Sequence, residues 1–243
     1  MKEVHFFYAP DAESTLELSH DEAQHALRVL RLREGDELFL MDGCGCFYRA
    51  HLTLASPKHC LYTIDEKLPQ HAQWQGKIHL AIAPTKMMER MEWMAEKATE
   101  VGFDQLTFLE CKFSERKVLK TERIDKIIVS AMKQSRKPWK VELSGLTSFD
   151  KFIAMPRAGR KYICHCYDEI PKVDYFTQLQ HPIISADDAN VTILIGPEGD
   201  FSIEEVQLAM QHGYESVSLG ASRLRTETAG LVAVTYAQLA RRG

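Results

Sequence analysis

The chain has 243 residues, of which 45% are hydrophobic and 26% charged, and its formal net charge is −4. These are ordinary globular values, enough for one large or two modest domains, and they exclude disordered, collagenous and coiled-coil classes. No apolar run reaches the roughly 20 residues of a membrane helix, and MKEVHFFYAPDAES lacks the apolar core of a signal peptide, so a cytoplasmic protein with no membrane role is expected.

The first 70 residues read as β-rich. VHFFY (4–8), ELFLMD (37–42), CFYRAHLTL (46–54) and CLYTID (60–65) are short runs of apolar, aromatic and β-branched residues, and DGCG between the second and third is a hairpin signal. SHDEAQHALRVL predicts one short helix, with Ser19 as its cap, Glu22 three residues on, and Ala23, Ala26, Leu27 and Leu30 on one face. EKLPQHAQWQGK (66–77) is polar, carries Pro and Gly, and reads as a linker, giving expected domains of 1–70 and 74–243.

Beyond the linker, strands alternate with helices. IHLAIA (78–83) is a continuous apolar strand, and MMERMEWMAEKATEVG follows as a helix with Met87, Met91, Met94, Ala95, Ala98 and Val101 on one face and Gly102 as its stop. QLTFLE (105–110) is the next strand. Thr121 can cap a helix whose stripe is Ile124, Ile127, Ile128, Ala131 and Met132. KYICHCY (161–167), VTILIG (191–196) and SVSLG (216–220) are further strands; between the last two a helix carries the capping box Ser202/Glu205 and ends at Gly213. TAGLVAVTYAQLARR closes the chain as a helix, capped by Thr226 or Thr228 with Glu227 in the first turn. Strands apolar on both faces that alternate with helices imply an α/β fold with a mostly parallel sheet covered on both sides.

Charge and cysteine placement narrow the function. Residues 112–140 hold ten Lys and Arg against three acids, and Arg28, Arg31 and Arg33 form a smaller basic cluster. Two basic regions on a mildly acidic chain point to a polyanion docked at a defined place. The six cysteines include no C-x-x-C pair, so neither a metal site nor a disulfide is expected.

In a parallel sheet, ligands bind beyond the C-terminal strand ends. CYDEIP, GPEGDFS and GASRLRTETAG occupy those places. In the second, Gly196 and Gly199 free the backbone, Pro197 stiffens the turn, and Glu198 stands between. There is no phosphate-loop Lys and no G-x-G-x-x-G, so the loop suits a flat heterocycle better than a phosphate. In the third, Arg223 and Arg225 at a strand's end are natural anion contacts.

The order IGPEGDFS…SLGASRLRTETA, preceded by ERMEWMAEKATEVG and by VLRLREGD…DG, resembles the RsmE family, bacterial 16S rRNA uridine N3-methyltransferases of the SPOUT superfamily. The resemblance covers essentially the whole chain. The family often has Gly where Asp200 stands and Arg where Ser222 stands, which bears on which arginine faces RNA. It implies a C-terminal SPOUT domain with a deep trefoil knot and a mostly parallel sheet, a small β-rich PUA-like N-terminal domain that grips rRNA, and a homodimer. S-adenosyl-L-methionine would be held by Gly196, Pro197, Glu198 and Gly199, by Leu219 and Gly220, and by Leu224, Arg225, Thr226, Thr228 and Ala229.

On that footing, Arg225 would steady negative charge developing on the uracil oxygens, and Glu198 or Glu227 would accept the N3 proton. The base must be unpaired or flipped out, since N3 lies on its pairing edge. Arg28, Arg31, Lys112, Arg116, Lys117, Arg136 and Lys137 would contact 16S rRNA phosphates in the small subunit, with steep salt dependence. The rivals are a SPOUT enzyme acting on a ribose 2′-oxygen or another base, a non-catalytic ribosome-assembly factor, and an ordinary open-sheet nucleotide-binding protein.

Overall fold

The computed structural model describes residues 4–56 and 58–242. The chain divides into two compact units, Met1–Ala72 with Val129–Lys140, and Gln73–Ile128 with Val141–Gly243.

The first unit is built on a four-stranded sheet in the order β1 (Phe6–Tyr8), β2 (Glu37–Met41), β3 (Cys46–Ala55) and β4 (Cys60–Pro69). β1 and β2 are parallel and the other pairs antiparallel. Alternation puts Phe7, Leu38, Leu40, Tyr48, Ala50, Leu52 and Tyr62 into one core. The DGCG hairpin forms as expected: Asp42 Oδ1 accepts from the Cys44 and Cys46 amides at 2.7 and 3.0 Å.

Several expectations for this unit need correction. Glu66–Pro69, read as linker, stays paired with β3 because its backbone meets partners as far as Cys46. The short α1 (Ala12–Thr15) was not expected. The 19–30 helix is α2 (His20–Gln24) followed by one π-helical turn, His25–Val29. Ser19 does cap it, but Glu22 does not close a capping box; its carboxylate accepts from Lys133 Nζ at 2.6 Å. Val129–Lys140 returns to this unit because Gly45, at φ +103°, leaves room for the Trp139 ring, while Gly45 N donates to Pro138 O and Lys140 N to Gly43 O. A reading by contiguous blocks does not show that return.

The second unit carries β5 (Ile78–Ile82), α3 (Met88–Val101), β6 (Gln105–Glu110), α4 (Thr121–Ser135), β7 (Glu142–Ser148), α5 (Phe149–Ala154), β8 (Arg160–Cys164), β9 (Val173–Asp174), α6 (Tyr175–Leu179), β10 (Val191–Ile195), α7 (Ile203–Gln211), β11 (Glu215–Ser218) and α8 (Thr226–Arg241); α4 counts here only through Ile128. The strand order is β7-β6-β5-β10-β8-β11-β9, and every pairing is parallel. β5 and β10, side by side, are buried at every residue. Ile78, Leu80, Ile82, Val191, Ile193 and Ile195 meet α3 and α8 on one face, while Ala81 and Leu194 meet Val206, Ala209 and Phe152 on the other. Met91, Met94, Ala95 and Ala98 of α3 are buried as expected, but Met87 is its exposed cap. Strands β8 and β11 end earlier than predicted.

Candidate active site

β10, β8 and β11 are neighbours running the same way, so the three loops singled out from sequence leave one edge of the sheet together. They enclose a cavity of about 860 Å³.

The β10 loop is held from several sides. A Cβ on Gly196 would stand 2.9 Å from Phe201 N, so the chain folds tightly there. Asp200 has φ +69°, a left-handed conformation that Gly adopts without strain. Its carboxylate compensates: Oδ1 accepts from Phe201 N at 2.8 Å and Oδ2 from Cys166 N at 2.7 Å, tying the loop to the one after β8. Tyr167 adds a second tie, donating to Phe201 O at 2.6 Å. The capping box then starts α7: Ser202 N donates to Glu205 Oε2 at 2.7 Å and Glu205 N to Ser202 Oγ at 3.2 Å.

In the β8 loop, Tyr167 N donates to His165 Nδ1, so His165 Nε2 carries the hydrogen and donates to Ser216 Oγ at 2.6 Å. Burial, and then Lys172, lowers the His165 pKa and keeps the ring neutral. Burial pushes the Cys164 thiol up to about 12, with Cys166 and Asp200 adding to it, and raises Cys166 as well. Both thiols are therefore protonated at neutral pH and are not nucleophiles.

In the β11 loop, Gly220 sits at φ +121° with open space where a Cβ would be. The final helix begins earlier than a Thr228 cap allows. Ala229 N bonds Arg225 O at 2.8 Å, which makes Arg225 the cap residue and Thr226 the first helical residue; neither threonine caps. Arg223 and Arg225 are exposed, and no described hydrogen bond or ion pair involves their side chains.

Among the sequence-derived cofactor residues, Gly196, Pro197, Glu198, Leu219, Gly220, Leu224, Arg225, Thr226 and Ala229 line the cavity; Gly199 and Thr228 do not. Glu198 is exposed and its Oε1 accepts from Lys86 N at 3.0 Å, which ties in the loop after β5. Glu227 also lines the cavity and is buried. Arg90, on the first turn of α3, lines it too and was not singled out from sequence; the available signal was its place just beyond the C-terminal end of β5.

The basic stretch splits. Lys112 pairs with Glu204, Lys117 with Glu110, and Arg116 donates to the Thr85 and Lys86 carbonyls, so these three are engaged by partners within the second unit. In the first unit Arg28 and Arg31 are exposed, Arg31 at φ +57°. Arg136 is exposed with its guanidinium 5.3 Å from the Phe6 ring centre, and Lys137 is half-buried.

Among the described residues, no group of three or more His, Cys, Asp or Glu could hold a metal, and no helix is long and apolar enough to cross a membrane.

The cavity fits an uncharged heterocycle with a charged tail. Ile195, Pro197, Leu219 and Leu224 supply apolar wall, no phosphate-loop lysine is present, and Glu227 Oε2 is a buried oxygen with no donor among the described residues.

Comparisons agree with this reading. The crystal structure of a probable rRNA-methyltransferase from Porphyromonas gingivalis is 41% identical, covers 98% of each chain and superposes with a TM-score of 0.89. A ribosomal RNA small subunit methyltransferase E from Neisseria gonorrhoeae, bound to S-adenosyl methionine, is 26% identical over 98% of each chain, with a TM-score of 0.82. The protein of the same name from Synechocystis is 28% identical over 91% of this chain and 72% of its own. An RNA methyltransferase PUA domain matches residues 18–65 and an RNA methyltransferase domain matches residues 72–238. With more than half its length matched by the second, the chain belongs to the RNA methyltransferase family.

Proposed function

We propose that this protein is an S-adenosylmethionine-dependent methyltransferase acting on N3 of a uridine in the 16S rRNA of the small ribosomal subunit. The observation that carries the reading is the cavity itself: three adjacent strand ends close around apolar wall and backbone groups, with Arg223 and Arg225 unpaired at its border. When bound, S-adenosylmethionine supplies an electrophilic methyl group. Gly196, Pro197, Glu198, Leu219, Gly220, Leu224, Thr226 and Ala229, which line the cavity, are its assigned contacts, while Gly199 and Thr228 fall outside that lining. Arg225 steadies the negative charge on the uracil oxygens, and Glu198 or Glu227 takes the N3 proton.

In the first unit, Arg28 and Arg31 of the PUA-domain match, and Arg136 and Lys137 of the returning segment, are assigned to rRNA phosphates. Lys112, Arg116 and Lys117 share that assignment; the lysines' exposed ion pairs are weak enough to yield to a phosphate. The salt dependence of binding reads these contacts. A deep trefoil knot, a homodimer and a cytoplasmic location belong to the same reading. A solution mass of one 27.8 kDa chain would remove the homodimer.

The deciding experiment offers labelled S-adenosylmethionine and small subunits lacking the modification to the purified protein, followed by nucleoside analysis. Label in 3-methyluridine is the expected result. Label in a 2′-O-methylated nucleoside or another base would replace the uridine-N3 assignment.

A further inference from the structure

Two charges on the cavity wall lack proper partners. Arg90 lies in the first turn of α3 and Glu227 in the first turn of α8, and these two helices pack together on one face of the sheet. Glu227 is only 7% exposed. Its Oε2 is shut away from solvent and has no hydrogen-bond donor among the described residues. Its Oε1 lies 3.8 Å from Arg90 Nε, beyond hydrogen-bond reach. Among the described residues the Arg90 guanidinium has no hydrogen-bond partner, and the ground beside Glu227 is apolar: a Cβ on Gly230 would meet Ile82, Leu80 and Met94. A buried carboxylate without donors is costly, while the cation beside it, one-third exposed, is left to solvent for acceptors.

A ligand group carrying one positive and one negative charge side by side would complete both residues at once. The α-amino-acid end of the cofactor is such a group, whereas its adenine and ribose are neutral and suit the apolar walls and backbone groups of the three loops. We propose that Arg90 and Glu227 receive this zwitterion, with the α-carboxylate on the guanidinium and the α-ammonium on the Glu227 carboxylate. The assignment rests on the cofactor reading above, deepens it, and takes Glu227 out of the proton-transfer role, leaving Glu198.

The test is calorimetric titration of the full chain with S-adenosylhomocysteine and with 5′-methylthioadenosine, which lacks the amino-acid end. The wild type should bind the first more tightly. Glu227→Gln and Arg90→Gln should each weaken S-adenosylhomocysteine about tenfold or more and leave 5′-methylthioadenosine within about twofold. Arg90→Lys should recover part of the loss. If Glu227→Gln does not fold, Arg90→Gln decides, since its side chain is one-third exposed. Equal losses for both ligands would mean a structural role and overturn the proposal. So would unchanged affinity with lost methyl transfer in Glu227→Gln, which would return the proton to that residue. A wild type that binds neither ligand would remove the cofactor reading and the zwitterion site with it.

Discussion

Two acids at the N-terminal end of the seven-stranded sheet and two at its C-terminal end are bonded differently. At the N-terminal end, Asp104 and Asp188 are saturated. Asp104 accepts from Trp74 Nε1, Ile78 N and Lys77 Nζ at 2.9, 2.8 and 3.1 Å. Asp188 accepts two bonds from Arg160 and one from Ile184 N. At the C-terminal end, Asp200 and Glu205 are bonded within and between the loops, but Glu198 has one described donor, Glu227 has none among the described residues, and Arg223 and Arg225 stand exposed. Saturated polar groups stabilise the fold, while unsaturated ones around a cavity remain available to a ligand. Substitutions at the first end should therefore change stability, and those at the second should change binding and turnover.

The sharpest break in that comparison is at Gly159. It has φ +88°, and a Cβ there would run into the Asn190 carbonyl and stand 2.7 Å from Asp187 O. Gly159→Ala should lower unfolding free energy by about 3 kcal/mol or more, through backbone strain and overpacking together. Urea denaturation measures it. An unchanged midpoint, with cofactor affinity reduced instead, would erase the distinction between the two ends.

Next in size is Arg225→Ala. The side chain is exposed and unpaired, so stability should move by less than about 0.5 kcal/mol. Turnover should fall about a hundredfold, as loss of a charge-stabilising donor does, with cofactor affinity nearly constant. Single-turnover kinetics beside a cofactor titration separate the two. Unchanged turnover would leave the arginine without its role.

How much of this could be read beforehand follows from burial. Ile78–Ile82 and Val191–Ile195 are buried runs, apolar but for His79 and Thr192, because both faces of the central strands are covered, and that makes the parallel sheet legible. Glu142–Ser148, at the sheet's edge, mixes Ser, Gly and Thr with two leucines and gave no strand pattern. Val173–Asp174 and the short helices α5 and α6 hold too few residues for a period to show. Two of the three site loops are visible because glycines and arginines follow apolar strands, and CYDEIP only because it follows one. Arg90 is not, because in MMERMEWM it looks like any polar residue on an amphipathic helix; only the packing of α3 on α8 brings it to Glu227. Lys112, Arg116 and Lys117 were counted as basic surface because sequence shows charge but not the acids and carbonyls folded beside it.

The smallest effect belongs to Asp188, and it probes the saturated end through pH. The Arg160 guanidinium donates to both its oxygens, at 2.9 and 2.7 Å, and holds its carboxyl down to about 2 from the usual 3.8. Because the folded value is the lower one, the unfolded chain binds the proton first as pH falls. The pair's stabilisation is then fully present above about pH 4 and is lost as pH drops toward about 2. Asp188→Asn keeps the shape but removes the charge. It should cost about 1 kcal/mol at neutral pH, since the side chain is partly exposed and the attraction is screened. Its stability should also fall less steeply than the wild type's between pH 4 and pH 2. Parallel profiles for the two proteins would show that the ion pair, however well bonded, adds nothing to folding, and that the first end of the sheet is held by its backbone contacts alone.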